Sequence, residues 1–144
     1  MSAPHETYLR AIVDALEADG IGVADWFADL NDPLDGAVEL AATATAAGWG
    51  DRSVWLGWTE ERGWYYGSCS PQAHGGELTA IRYLAIGVLP RPAELVPQVR
   101  RIVAGDRPGY LTPTRYRYFE DDEDGFAAQL AQAAVADLAR GGDR

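Results

Sequence analysis

Apolar residues recur at helical spacing in three stretches of the chain. The first stretch, residues 5–18, predicts an amphipathic helix that stops before Gly20, with an apolar stripe of Leu9, Ile12, Val13 and Leu16. A second helix ends at Gly105 and either starts near Pro97 or kinks there, because proline has no N–H to donate. A third is predicted after residue 125, where Phe126, Leu130, Ala134 and Leu138 have i+4 spacing.

Between these helices the apolar residues form short runs that are typical of strands. Strands are predicted at residues 23–30, 36–41 and 78–86, each bounded by turn-forming residues. The Ala- and Thr-rich stretch 42–51 is predicted to be a loop. Residues 114–119, where arginine alternates with tyrosine, predict an edge strand whose charges prevent pairing with another sheet.

A tryptophan- and tyrosine-rich β-hairpin from Ser53 to Cys69 is the clearest local prediction. Two aromatic runs flank the polar turn Glu60–Gly63, where the glycine supplies a positive φ. Period-two alternation puts Val54, Leu56 and Trp58 on one face, and it puts Trp55 and Thr59 on the other. Both faces carry bulky side chains, so the hairpin is expected at the centre of the sheet.

The order of these elements predicts the fold class. Consecutive strands with short connections favour an α+β fold, in which an antiparallel sheet of four to five strands packs mainly on one face against an N-terminal helix and two C-terminal helices. The length of 144 residues fits one globular domain, predicted at residues 5–140, with flexible termini at 1–4 and 141–144.

The charge balance narrows the classes of partner. The chain has 22 acidic residues and 12 basic ones, all arginine, for a net charge of −10. This charge repels phosphate backbones, so direct nucleic-acid binding is disfavoured. No apolar run reaches the roughly 20 residues that cross a membrane. The N-terminus does not resemble a signal peptide, and the single Cys69 forms no internal disulfide. A soluble cytoplasmic protein is expected, and a homodimer stays open.

Two groups of residues are candidate binding sites. The aromatic and cationic candidates for contact with a ligand or partner are Trp49, Trp55, Tyr65, Arg82, Arg115 and Arg117; burial of the rings in the core is the competing interpretation. The acidic run could dock a basic partner surface or complement the dipole of the following helix, and it consists of Glu120, Asp121, Asp122, Glu123 and Asp124. It does not complete a calcium loop, because position twelve is Ala131.

No constellation of residues indicates catalysis or a cofactor. Cys69 and His74 are five residues apart, which permits a nucleophile–base contact but does not enforce one. Two distant histidines and one cysteine make a poor zinc set, and no phosphate-binding loop is present. No catalytic residue, metal or cofactor is therefore predicted.

Two motifs resemble an actinobacterial family of uncharacterised proteins, catalogued as domain of unknown function 6292. They are the hairpin segment Trp58-Thr-Glu-Glu-Arg-Gly-Trp64 and the segment Tyr83-Leu-Ala-Ile-Gly-Val-Leu-Pro-Arg-Pro92. The resemblance spans roughly residues 8–104 and implies an N-terminal helix, this hairpin, and a strand that ends before a helix. Ile86 and Gly87 stand where the family has Gly-Asp. The resemblance implies no activity and no catalytic residues.

Three functions follow as hypotheses. The first is a small, acidic, non-enzymatic module that binds another protein or regulates it. The second is a domain that binds a small molecule or carbohydrate through exposed tryptophan and tyrosine side chains of the central hairpin. The third is an enzyme whose site the sequence does not reveal.

Overall fold

A computed structural model gives the secondary structure and topology of residues 3–70, 77–120 and 125–133. The elements are, in chain order, α1 (Glu6–Ala18), β1 (Val23–Asp29), β2 (Asp35–Leu40), α2 (Ala42–Trp49), β3 (Ser53–Thr59), β4 (Gly63–Cys69), β5 (Thr79–Tyr83) and α3 (Pro92–Val103). Residues 126–133 form a further helical segment. The strands form one antiparallel sheet in the order β1-β2-β3-β4-β5. The predicted α+β fold is confirmed.

One face of the sheet, the covered face, carries the core. Leu56 pairs with Val38 on β2 and with Tyr66 on β4, while Trp58 pairs with Trp64. All five side chains are buried. Their inward positions follow from the alternation in β3, because residues two apart on a strand point to the same side of a sheet.

Helix α1 packs closely on the covered face. Its buried stripe is the predicted one with Tyr8 added: Tyr8, Leu9, Ile12, Val13 and Leu16. The ring of Tyr8 lies 5.9 Å from that of Trp58 and 6.3 Å from that of Trp64. A Cβ on Gly36 would overlap the Cδ1 atom of Leu9, so the absence of a side chain there lets the helix approach β2.

The segment predicted as a loop at 42–51 is a helix, α2, so that prediction is wrong. Alanine has the highest helix propensity, and the helix is fixed by long-range packing of Trp49, which is buried. The indole Nε1–H of Trp49 donates to the carbonyl of Ile102 at 2.6 Å. The helix ends at Gly50, which has a φ of +65°.

The edge strand predicted at 114–119 is also wrong. Residues 113–118 have no regular secondary structure, and the edge of β5 is instead met by Tyr110, which exchanges two backbone hydrogen bonds of 2.8 Å with Tyr83. The backbone N–H of Tyr116 donates to the carbonyl of Glu61 at 2.7 Å. This contact holds the segment against the hairpin turn rather than beside a strand.

Helix α3 begins at Pro92 and runs through Pro97, so Pro97 does not start it. The helix has Pro92 in its first turn, where a missing N–H costs nothing. The backbone N–H of Arg91 donates to Glu94 at 3.0 Å, and this bond lowers the pKa of Glu94. The predicted continuation of the last helix through Ala134 and Leu138, and the terminus 141–144, lie outside the described residues.

Candidate functional site

The second face of the sheet, called the open face here, lies opposite the helices of the described residues. Leu9 of α1 and Trp49 of α2 contact covered-face residues Gly36 and Tyr66. The segment 126–133 does the same, since the ring of Phe126 stacks on Trp58 at 6.5 Å, and α3 buries Leu95, Val99 and Ile102 in the core cluster. No helix of the described residues packs on the other side of the sheet, where Phe27 is exposed.

Aromatic rings run across the open face from β1 to β5. Strand register aligns Phe27, Ala37, Gly57, Tyr65 and Tyr83 in one row across all five strands. The ring of Phe27 lies 6.4 Å from that of Trp55, and the rings of Tyr65 and Tyr83 are 5.8 Å apart. The side chain of Phe27 is 43% exposed, while the other three rings are partly buried against one another and the sheet.

Gly57 gives this face its shape. The ring of Tyr65 lies directly over it, and a Cβ at that position would overlap the ring at Cζ. A glycine opposite an aromatic residue on a neighbouring strand lets the ring lie flat on the backbone. The surface of the open face is consequently recessed at the centre of β3, where Gly57 lies between Trp55 and Thr59.

Carboxylates border the rings on the β1 and β2 side. The register puts Asp25 opposite Glu39 and Asp29 opposite Asp35, all four on the same face as Phe27. Arginine is absent from the open-face positions of the five described strands. Burial raises the pKa of Tyr65, and the nearby carboxylate of Asp35 raises it further. The face combines partly accessible rings with four carboxylates that form no ion pair with another described residue.

The predicted binding residues are divided between this face and other regions. Trp55 and Tyr65 lie on the open face, as the alternation predicts for Trp55. Trp49 does not join them: it packs edge-on against Tyr66 at 6.5 Å, and the guanidinium of Arg107 lies 3.6 Å from its ring centre. Arg82 pairs with Tyr66 in the register and lies beside a groove at the β5 edge.

Arg115 and Arg117 contact the hairpin turn. Arg117 is buried and bonds to Oε1 of Glu60 at 2.5 Å, while Arg115 lies 3.6 Å from Oε1 of Glu61. Oε2 of Glu60 also accepts the backbone N–H of Leu34 at 2.5 Å. The predicted polar turn is thus a buried anchor for the segment that follows residue 114. Of the predicted acidic run, Glu120 is exposed and residues 121–124 lie outside the described residues, as does His74.

Sequence reasoning missed Phe27, Tyr83 and the four carboxylates as members of the site. The signal was present in β1, where Asp25, Phe27 and Asp29 alternate with Trp26 and Ala28. That alternation assigns two acids and one ring to the same face. Which face stays open depends on where the helices pack, and this is a long-range property.

Three tyrosines predict an alkaline limit to stability. Burial raises the pKa of Tyr8, Tyr65 and Tyr66 above the ordinary value of 10.0. Below pH 10 the tyrosines are protonated in both the folded and the unfolded state, so their ionisation does not reduce the free energy of unfolding. Above it the unfolded state loses protons first, so the free energy of unfolding falls as pH rises from about 10. Urea denaturation at pH 9 and pH 11 measures this loss, and Tyr8→Phe should reduce it; equal stability at both pH values would contradict it.

Comparison with protein families decides where the chain belongs. Residues 8–101 match the model of a family described as a family of unknown function, DUF6292. The chain belongs to this family. The DUF6292 match covers all five strands, and so the whole open face, but it ends before Arg115 and Arg117. No curated protein and no solved structure matches the chain.

The described residues offer no candidate for two other classes of site. Among residues 3–70, 77–120 and 125–133, no helix combines the length and apolar character needed to cross a membrane. In that same part of the chain, no group of three histidine, cysteine, aspartate or glutamate side chains could hold a metal ion.

Proposed function

We propose that this member of the DUF6292 family is a non-enzymatic interaction module whose open face binds a basic segment of another protein. The observation that carries the proposal is the juxtaposition of Phe27, Trp55, Tyr65 and Tyr83 with four carboxylates on one face of the sheet. Contiguous rings that keep part of their surface accessible, bordered by charge, are typical of surfaces that meet a partner.

The rings supply the contact area. Aromatic residues are enriched at the centres of interfaces because they bury a large area with few rotatable bonds. Phe27 and Trp55 already touch, as do Tyr65 and Tyr83, so a partner would meet rings held in place rather than order them on binding.

The carboxylates select the charge of the partner. A net charge of −10 attracts basic segments at long range, and the acids beside Phe27 complement them at contact. A guanidinium or ammonium group can also stack over the accessible surface of these rings, where cation–π attraction adds to the ion pairing. A segment that contains arginine or lysine can therefore pair with the carboxylates and also stack on the rings. A neutral sugar would use the rings alone, with little dependence on salt.

Selection from a library of random peptides tests this proposal. We expect the selected peptides to be enriched in arginine and lysine, and their affinity to fall as salt is raised, because screening weakens exposed charge pairs. Trp55→Ser and Phe27→Ser should each weaken binding by about tenfold or more, as loss of a central aromatic contact does.

Tyr118→Ser is the matched control. Tyr118 is 53% exposed, and it lies next to Arg115 in the segment held against the hairpin turn rather than on a strand of the sheet, so its replacement removes an exposed ring without touching the proposed surface. Binding should be unchanged in this variant. Selected peptides that are acidic or uncharged, or that bind Trp55→Ser as well as the unmodified protein, would rule the proposal out. So would pairing of two copies through this face.

The proposal includes a location. We place the protein in the cytoplasm, which fits the free Cys69, buried in β4. A reducing compartment keeps such a thiol unpaired.

A further inference from the structure

We propose a second binding site, for a small aromatic carboxylate, in a groove at the β5 edge of the sheet. The groove has a volume of about 690 Å³, within the range of small-molecule sites. It lies between the end of β5 and the segment that follows Tyr110, and its lining includes Arg82, Ala85, Tyr110, Leu111, Pro113 and Thr114. This inference is independent of the function proposed for the open face.

The groove forms where β5 and the segment that follows Tyr110 separate after a single pair of backbone hydrogen bonds. Tyr83 and Tyr110 exchange their two backbone hydrogen bonds, but no further backbone bond joins β5 to residues 111–114 in the described part of the chain. Ala85 has a φ of +57°, a conformation that is costly for a residue with a Cβ and that concentrates at ligand sites. The groove is therefore formed by the paths of the two backbone segments, which separate after the Tyr83–Tyr110 pair.

Arg82 gives the groove its chemical selectivity. Its side chain is partly buried, and no carboxylate of the described residues forms an ion pair with it. Its guanidinium lines the groove and is therefore placed to meet an anionic group of a bound ligand. A guanidinium binds a carboxylate through two parallel N–H···O bonds, and a single cation matches a single negative charge.

The rest of the lining selects the body of the ligand. Leu111 is 72% exposed, so it presents apolar surface that a ring would cover. Pro113 extends this surface, and the hydroxyl of Thr114 can bond to a polar substituent. One cation beside an apolar wall fits a benzoate-like compound.

Titration with benzoate, followed by amide NMR, tests the site. We expect shifts at Arg82, Tyr110 and Leu111, with binding at least about tenfold weaker for benzamide, its uncharged counterpart, because a charge-assisted pair is lost. Arg82→Gln should weaken benzoate binding by a similar factor. Arg10→Gln is the control: it removes the same charge from α1, where the guanidinium lies 5.7 Å from Trp26 on the opposite edge of the sheet.

Each outcome decides the proposal. Absence of groove shifts with benzoate, or equal binding of benzoate and benzamide, would overturn it. Equal loss in Arg82→Gln and Arg10→Gln would also overturn it, since only net charge would then matter. If Arg82→Gln does not fold, Leu111→Ser takes its place, because Leu111 is largely exposed and its loss should still weaken binding without affecting the fold.

Discussion

Trp58→Ala will lower the free energy of unfolding by about 3–5 kcal/mol, the usual cost of truncating a buried tryptophan. Trp58 is fully buried, its ring stacks on His5 at 5.5 Å and on Phe126 at 6.5 Å, and its indole N–H donates to the carbonyl of Val88 at 2.7 Å. The truncation leaves a cavity among rings and removes the hydrogen bond to the partly buried carbonyl of Val88, and both effects destabilise the fold.

Trp55→Ala is the matched comparison, since Trp55 stands three residues earlier on the same strand. Its ring contacts Phe27 on the open face, and losing one cross-strand pair of this kind costs about 1 kcal/mol or less. Urea denaturation followed by circular dichroism measures both variants. Equal losses would show that the open-face tryptophan is also structural, and would remove the distinction between the two faces.

Glu60→Gln will lower the free energy of unfolding by about 3–5 kcal/mol, because it removes one partner of a buried ion pair. The side chains of Glu60 and Arg117 are both 7% exposed, and the pair joins the hairpin turn to a residue 57 positions later. The guanidinium of Arg117 also lies 4.0 Å from the ring centre of Phe126, so the charge is held among core side chains. Without the carboxylate of Glu60, the buried guanidinium loses its ion pair with the hairpin turn.

Arg10→Gln is the control for this prediction. It breaks the Arg10–Glu6 pair, whose side chains are 59% and 32% exposed, and pairs of this kind contribute about 1 kcal/mol or less. The double variant Glu60→Gln, Arg117→Met should recover part of the loss, since it removes the buried charge as well. If Glu60→Gln lowers the free energy of unfolding no more than Arg10→Gln does, the claim that the buried Glu60–Arg117 pair stabilises the fold is wrong.

Local pattern was sufficient for much of the sheet. The alternation in Ser53–Thr59 assigned Trp58 and Trp55 to opposite faces, and the positive φ expected at Gly63 is observed at 73°. These features depend on neighbours within a few residues, which is the range over which strand periodicity and turn chemistry act.

Features that depend on distant residues could not be predicted in this way. Glu60 and Glu61 have the pattern of an exposed turn, and only the return of the chain at Arg115 and Arg117 buries them. Helix α2 has no polar and apolar alternation, and the contact of Trp49 with Ile102 stabilises it. The alternation in β1 predicted which residues share a face with Phe27, but the packing of α1 determines that this face stays open.

Mapping of a selected arginine-containing peptide by amide NMR tests the central claim most directly. We expect the largest shifts at Phe27, Trp55 and Tyr65, which are open-face positions on β1, β3 and β4, and we expect them to disappear in Trp55→Ser while the protein stays folded. Shifts confined to the groove beside Arg82, or to the helices of the covered face, would contradict the assignment of the open face as the binding surface.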